Sequence, residues 1–128
     1  MLLDTTFLID LQRELAGSRM RRATRFLSDH RESILWISLV TWMEFAEGYP
    51  EAKEEDCRLF LSRFPLILPD PDIAWRASRI CRKLRVDGSL IGDHDIWIAA
   101  TALERAIPLV TRNPRHFQRI PGLEILPY

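Results

Sequence analysis

Cysteine and lysine are scarce in this chain, and long apolar runs are missing. Its two cysteines, Cys57 and Cys81, stand in stretches of helical character, with no CxxC and no nearby histidine pair. That excludes a disulfide scaffold and a zinc site and leaves two buried free thiols. No segment approaches the roughly 20 apolar residues of a membrane span. The start, MLLDTTFLIDLQR, has no basic lead and meets an aspartate at position 4, which argues against a signal peptide and for a cytosolic protein. Low-complexity tracts, Gly/Ser linkers and blocks of one charge are absent too, so disorder is not expected. With 18 basic and 18 acidic residues the net charge is zero, which excludes tight, non-specific attraction of nucleic acid by the whole surface. Lys53 and Lys83 are the only lysines, and the other cations are arginines, suited to bidentate contact with phosphate or carboxylate.

What is present is core material. Hydrophobic residues make up 47% of 128, enough for one domain spanning residues 1–128. MLLD reads as a short buried strand, followed by a helix through TTFLIDLQREL. SRMRRATRFLSDHR reads as a basic helix, with Met20, Ala23, Phe26 and Leu27 on one face. ILWISLV is strand-like, TWMEFAEGY is a helix ending at Gly48 and Pro50, and EAKEEDCRLFLSRF is another helix, acidic first and basic last as the helix dipole prefers. PLILP is a short strand. The next helix opens at Pro71, with Ile73, Ala77, Ile80 and Leu84 on one stripe and Arg76, Arg79 and Lys83 on another. A nearly all-apolar helix follows Asp93 and runs to about Arg105; then come a strand IPLVT, a loop RNPRHFQRIPG and a last strand LEILP. Strands alternating with helices give an α/β fold with a mainly parallel sheet and helices on both faces.

In such sheets, ligand sites form outside the carboxyl ends of the strands, and the polar residues of this sequence fall there. Asp4 ends the first strand, Glu44 follows ILWISLV by one helical turn, Asn113 follows IPLVT, and Asp93 and Asp95 open the apolar helix. Converging carboxylates repel unless a cation neutralises them. An oxygen-rich set of this kind suits Mg²⁺ or Mn²⁺, and metal-assisted phosphodiester hydrolysis is the chemistry it points to. Each acid also has a structural alternative. Asp4 can cap the helix beginning near Thr5, Thr41-x-x-Glu44 matches a capping box, and Asp93 is placed to accept from the amides of Asp95 or Ile96. Asp95 is harder to explain as structure, because the helix dipole is worth only about 0.3–1 kcal/mol to an acid in the first turn. Of the histidines, His94 reads as an exposed neutral imidazole, and the four tryptophans read as core or interface residues.

Four segments in this order, LLDTTFLIDL, ISLVTWMEFAEG, IGDHDIWIAATAL and LVTRNPRHFQRIPGLEIL, resemble the PIN-domain ribonucleases, most closely the VapC-type toxins of toxin–antitoxin pairs. The resemblance spans nearly the whole chain. It implies a three-layer α/β/α sandwich with a mainly parallel central sheet, one or two Mg²⁺ or Mn²⁺ ions, and RNA cleavage by a metal-activated water. A homodimer and a small VapB-like antitoxin are implied as partners. Residue by residue, it makes Asp4, Glu44 and Asp95 the catalytic and metal-holding acids, with Asp93, Asn113 and Thr5 as accessories.

Two positions depart from the family pattern. Thr6 stands where asparagine is frequent, which alters a turn contact. His116 stands where relatives are often acidic, which puts a second metal in doubt but not the nuclease. The arginines are candidates for guiding RNA or antitoxin: Arg112 and Arg115 beside Asn113, Arg76 and Arg79 on one helix, and the group Arg19, Arg21, Arg22 and Arg25. An ordinary solvated face is the alternative for the helical ones. Among other folds, a receiver-like signalling domain needs a lysine after a late strand, where this chain has VTRN. A dehalogenase-like phosphatase needs a second acid that LLDTTF lacks. A PIN-fold module that only binds RNA or protein would have no use for the mutual repulsion of Asp4, Glu44 and Asp95.

Overall fold

The computed structural model describes residues 1–17 and 20–128. Five very short strands carry the architecture: β1 (Leu2–Leu3), β2 (Trp36–Ser38), β3 (Leu66–Ile67), β4 (Leu109–Val110) and β5 (Ile125–Leu126). Every pairing is parallel, in the order β3-β2-β1-β4-β5. Between them run α1 (Thr5–Ala16), α2 (Arg22–Asp29), α3 (Leu39–Glu47), a 3₁₀ turn (Glu51–Lys53), α4 (Glu54–Leu61), α5 (Pro71–Val86), α6 (Asp93–Glu104) and α7 (Pro114–Phe117).

Alternation along the strands divides the core in two. Leu2, Ile67 and Leu109 face a cluster with Ile73, Ile80 and Leu84 of α5, Ile98 and Ala99 of α6 and Phe117 of α7. Leu3, Ile37 and Val110 face the opposite cluster, with Phe7, Leu8 and Leu11 of α1, Phe26 of α2, Phe45 of α3 and Phe60 of α4. This is the expected sandwich, helices over both faces of a parallel sheet. No helix among the described residues is long and apolar enough to cross a membrane.

β1 sits at the centre. The chain builds outward from it through β2 to β3, then returns to β4 on its other side. The connections therefore diverge between β1 and β4, leaving a crevice outside their carboxyl ends. Asp4 follows β1 at that point, and Thr111 follows β4.

Local boundaries differ from the sequence reading in several places. The segment ILWISLV is extended only over Trp36–Ser38, because the Ser38 hydroxyl accepts from the Thr41 amide at 3.0 Å and starts α3 at Leu39. Ser38, not Thr41, is thus the cap, and no capping box forms at Thr41–Glu44. Asp93 is likewise not a cap: Gly92 holds that position, its carbonyl accepting from Ile96 N at 3.1 Å, so Asp93 is the first residue of α6. The stretch RNPRHFQRIPG contains the short α7, opened by Pro114 and fixed by the buried Phe117. The basic helix begins only at Arg22, with Met20 exposed before it, and Arg19 lies outside the described residues. Of the two thiols, Cys57 is buried but Cys81 is only half-buried. Trp75 is also exposed and does not join the core.

Candidate active site

The crevice at the strand ends is a pocket of about 350 Å³, lined by Asp4, Thr5, Thr6, Glu44, Glu47, Asp95, Asn113 and His116 among others. Four separate segments thus deliver Asp4, Glu44, Asp95 and Asn113 to one place, as the sequence reading expected. Asp93 does not line it. It opens onto an adjoining hollow shared with Glu44, His94 and Asp95.

Asp4 is only 5% exposed. Its Oδ1 accepts from the Thr5 amide at 2.8 Å, so the capping role is real, while Oδ2 accepts from the hydroxyls of Thr6 and Thr111, both at 2.7 Å. Thr111 is fully buried and also accepts from the Asn113 amide at 3.0 Å, which ties the turn after β4 to the acid after β1. Glu44 lies on α3. Its Oε2 accepts from the Thr5 hydroxyl, and its Oε1 lies 2.9 Å from His94 Nδ1. Asp95, the third residue of α6, has its Oδ2 3.1 Å from His116 Nδ1. The position where an acid was expected therefore supplies an imidazole to one of the acids, and His94 is not an idle surface group.

None of these carboxylates forms an ion pair with lysine or arginine among the described residues. Elsewhere arginine answers acid: Arg112 grips both oxygens of Asp10 at 3.0 and 2.7 Å, Arg76 binds Glu104 at 2.8 Å, and Arg105 binds Asp70. A buried carboxylate held only by neutral donors leaves negative charge uncompensated. The donor set of Asp4, Glu44 and Asp95 with the Asn113 amide is all oxygen and amide, the chemistry Mg²⁺ or Mn²⁺ takes. The acids do not close into a cage: among the described residues no group of three or more His, Cys, Asp or Glu is arranged to hold an ion. Mg²⁺ fits such an open set, since it keeps several waters and engages one or two carboxylates.

The other candidates fall outside the pocket. Arg112 and Arg115 flank Asn113 and His116 and are exposed, Arg112 being committed to Asp10. Arg76 and Arg79 lie on α5, the first paired with Glu104 and the second exposed. Sequence reasoning missed Glu47 and Thr111, and took Thr6 for a turn contact where it donates to Asp4. A threonine directly after the apolar strand IPLV was the available signal for Thr111, because a hydroxyl at a parallel strand end faces the ligand crevice.

The model of the PIN domain family matches residues 1–123. A ribonuclease VapC1 of Methanocaldococcus jannaschii is 39% identical over 92 residues, which covers 70% of this chain and 68% of the relative. A protein of Salmonella typhimurium named tRNA(fMet)-specific endonuclease VapC is 33% identical over 98 residues, covering 73% of this chain and 74% of its own. The crystal structure of DNA-bound VapBC from Salmonella typhimurium superposes with a TM-score of 0.80 at 30% identity, covering 98% of this chain and 96% of that one.

Proposed function

The chain belongs to the PIN-domain family and, within it, to the VapC ribonucleases, and from that premise we propose that it is a divalent-metal-dependent endoribonuclease working at the Asp4–Glu44–Asp95 pocket. One observation carries the reading. Asp4 is 95% buried, is held by neutral donors only, and shares its pocket with Glu44, Glu47 and Asp95, none of which lysine or arginine answers among the described residues. That arrangement is costly without a cation and suited to one.

Asp4, Glu44 and Asp95 would hold the ion, with Asn113 beside them. A bound Mg²⁺ or Mn²⁺ supplies neutralising charge, a water acidified for attack on phosphorus and stabilisation of the leaving oxygen. The protein's own groups set the geometry. Thr6 and Thr111 fix one oxygen of Asp4 by two hydroxyl donors, and Thr5 fixes Glu44 while its amide holds the other Asp4 oxygen. His94 and His116 orient Glu44 and Asp95 from the rim. Asp93 adds charge at the edge and no direct grip on the pocket. A small antitoxin of the kind present in the VapBC complexes is the partner we propose, with RNA as substrate.

Purified protein incubated with RNA and Mn²⁺ or Mg²⁺ should cleave it, EDTA should stop the reaction, and Asp4→Asn should be inactive. Cleavage that persists in EDTA would sink the metal reading. Cleavage by Asp4→Asn at the wild-type rate would sink the assignment of the pocket.

A further inference from the structure

The acid pocket repels the phosphate backbone it is proposed to cut, and a chain of zero net charge offers no general attraction to compensate. Affinity for RNA must come from cations placed beside the pocket. A second hollow meets that need. It has a volume of about 810 Å³ and opens between α1 and α2, with Arg13, Arg21, Arg22, Arg25 and Arg112 in its wall. Three carboxylates also line it, and two of them are already engaged. Asp10 is held by Arg112 and by the Tyr128 hydroxyl at 3.1 Å. Glu14 reaches across from α1 to accept from the amides of Ala23 and Thr24 at 3.1 and 2.8 Å, capping α2. Arg13, Arg21, Arg22 and Arg25 form no ion pair among the described residues, and all four are exposed.

The two hollows share walls. Thr6 and Ile9 of α1 line the acid pocket while Asp10 and Arg13 line the basic one, and consecutive residues Arg112 and Asn113 divide in the same way. The Arg112 amide reaches Thr6 Oγ1 at 3.5 Å, across the ridge between them. From Asp4 to Arg13 the helix rises roughly 14 Å, a span that a few nucleotides of single strand cover. Guanidinium forks recognise phosphate oxygens in pairs.

We propose that the arginine hollow between α1 and α2 binds the sugar–phosphate backbone of the RNA on one side of the cleavage pocket. It supplies the affinity and direction of entry that the acids cannot. This inference rests on the ribonuclease reading and adds where the substrate lies.

The test is the triple variant Arg13→Gln/Arg22→Gln/Arg25→Gln in the full chain. Its binding to a fluorescein-labelled single-stranded RNA oligonucleotide is measured by anisotropy in EDTA across a salt series. Each lost phosphate contact lowers the slope of log K against log salt by about 0.7, so the triple change removes about 2 from the slope and weakens binding on the order of 50-fold near 0.15 M salt. In Mn²⁺ the KM for cleavage rises while kcat at saturating RNA is kept. The corresponding triple lysine variant retains the salt slope, which separates charge from folding; single glutamine variants each read a slope change of about 0.7 should the triple variant fold poorly. If wild type binds and cleaves RNA and the triple variant does so with the same slope and KM, the inference fails and the nuclease stands. A variant that loses an acidic partner peptide while keeping RNA makes the hollow a protein-docking surface and overturns the inference. A wild type that neither binds nor cleaves RNA overturns both readings.

Discussion

Replacing Asp95 by asparagine separates a structural acid from a working one more sharply than any other single change. Asp95 occupies the first turn of α6, whose following residues Ile96, Ile98, Ala99, Ala100 and Ala102 are all buried. Two interactions depend on its charge. The helix dipole contributes about 0.3–1 kcal/mol. The contact with His116, whose side chain is 58% exposed, contributes at most about 1 kcal/mol. Asparagine keeps the size and one acceptor, so the fold should lose no more than about 2 kcal/mol of a typical 5–15. The chemical loss is larger. If Asp95 helps to hold the proposed ion, its removal costs several kcal/mol of transition-state stabilisation, and ~4 kcal/mol is roughly a thousandfold in rate. Single-turnover RNA cleavage in saturating Mn²⁺ measures this, beside a thermal melt followed by circular dichroism. Mn²⁺ at about 100 times its dissociation constant should also raise wild-type stability by ~2.7 kcal/mol, an increment that Asp95→Asn reduces. Cleavage within a few-fold of wild type would refute the reasoning. So would an inactive variant whose melt has collapsed, because Asp95 would then be a structural residue of α6.

Other expectations concern the groups around the site. Glu14→Gln should destabilise the protein by ~1 kcal/mol in urea titration, through loss of one of the two oxygens that cap α2 at Ala23 and Thr24. Thr111→Val should cost about 1–3 kcal/mol, since it removes a buried donor to Asp4 and an acceptor for the Asn113 amide; its cleavage rate should fall with Mn²⁺ saturating. Asp70 is held below its ordinary 3.8 by the Ile73 amide and then by Arg105. Burial pushes Glu14 up, but hydrogen bonds from Thr24 and Ala23 outweigh it and hold the carboxyl below its ordinary 4.5. Both lowered acids contribute stability that is complete above those values and lost as pH falls through the lower folded ones. The urea midpoint should therefore drop on acidification below about pH 4.5, and Glu14→Gln/Asp70→Asn should flatten that drop.

Short apolar segments were enough to identify each strand, although the strands themselves are shorter: β1 and β4 are no more than their buried pairs, Leu2 and Leu3, Leu109 and Val110. The parallel arrangement then sent Asp4, Glu44, Asp95 and Asn113 to one edge, where the structure has them. Helix starts were less legible. Ser38 and Thr41 are both competent caps, and the choice between them depends on β2 ending beside a two-residue β1, which is a fact of pairing. Gly92 and Asp93 pose the same ambiguity, and there the backbone of Gly92 provides what a side chain was expected to provide. Thr111 meets Asp4 across 107 positions of sequence; its place at a strand end was visible, but its partner follows only from the pairing of β1 with β4. The run of arginines before and within α2 was visible, but that α1 turns Arg13 toward it follows only from the packing of the two helices.

The acids of this protein sort by what answers them. Asp10 has Arg112, Asp70 has Arg105 and an amide, Glu104 has Arg76, and Glu14 has the orphan amides of α2. The first three have their charge matched within the fold, and Glu14 is used to close the start of α2. Asp4, Glu44 and Asp95 are answered by hydroxyls, one amide and two imidazoles. Hydroxyl donors orient a carboxylate without cancelling its charge, so the negative potential of the pocket survives folding. In a chain that carries as many arginines and lysines as acids, at least one cation could have been placed beside each of the three. Instead, four arginines that form no ion pair among the described residues, Arg13, Arg21, Arg22 and Arg25, line the neighbouring hollow, and others such as Arg79, Arg82 and Arg115 lie elsewhere on the surface. That arrangement is what the proposed reading requires: a cation among the acids and the RNA backbone along the arginines.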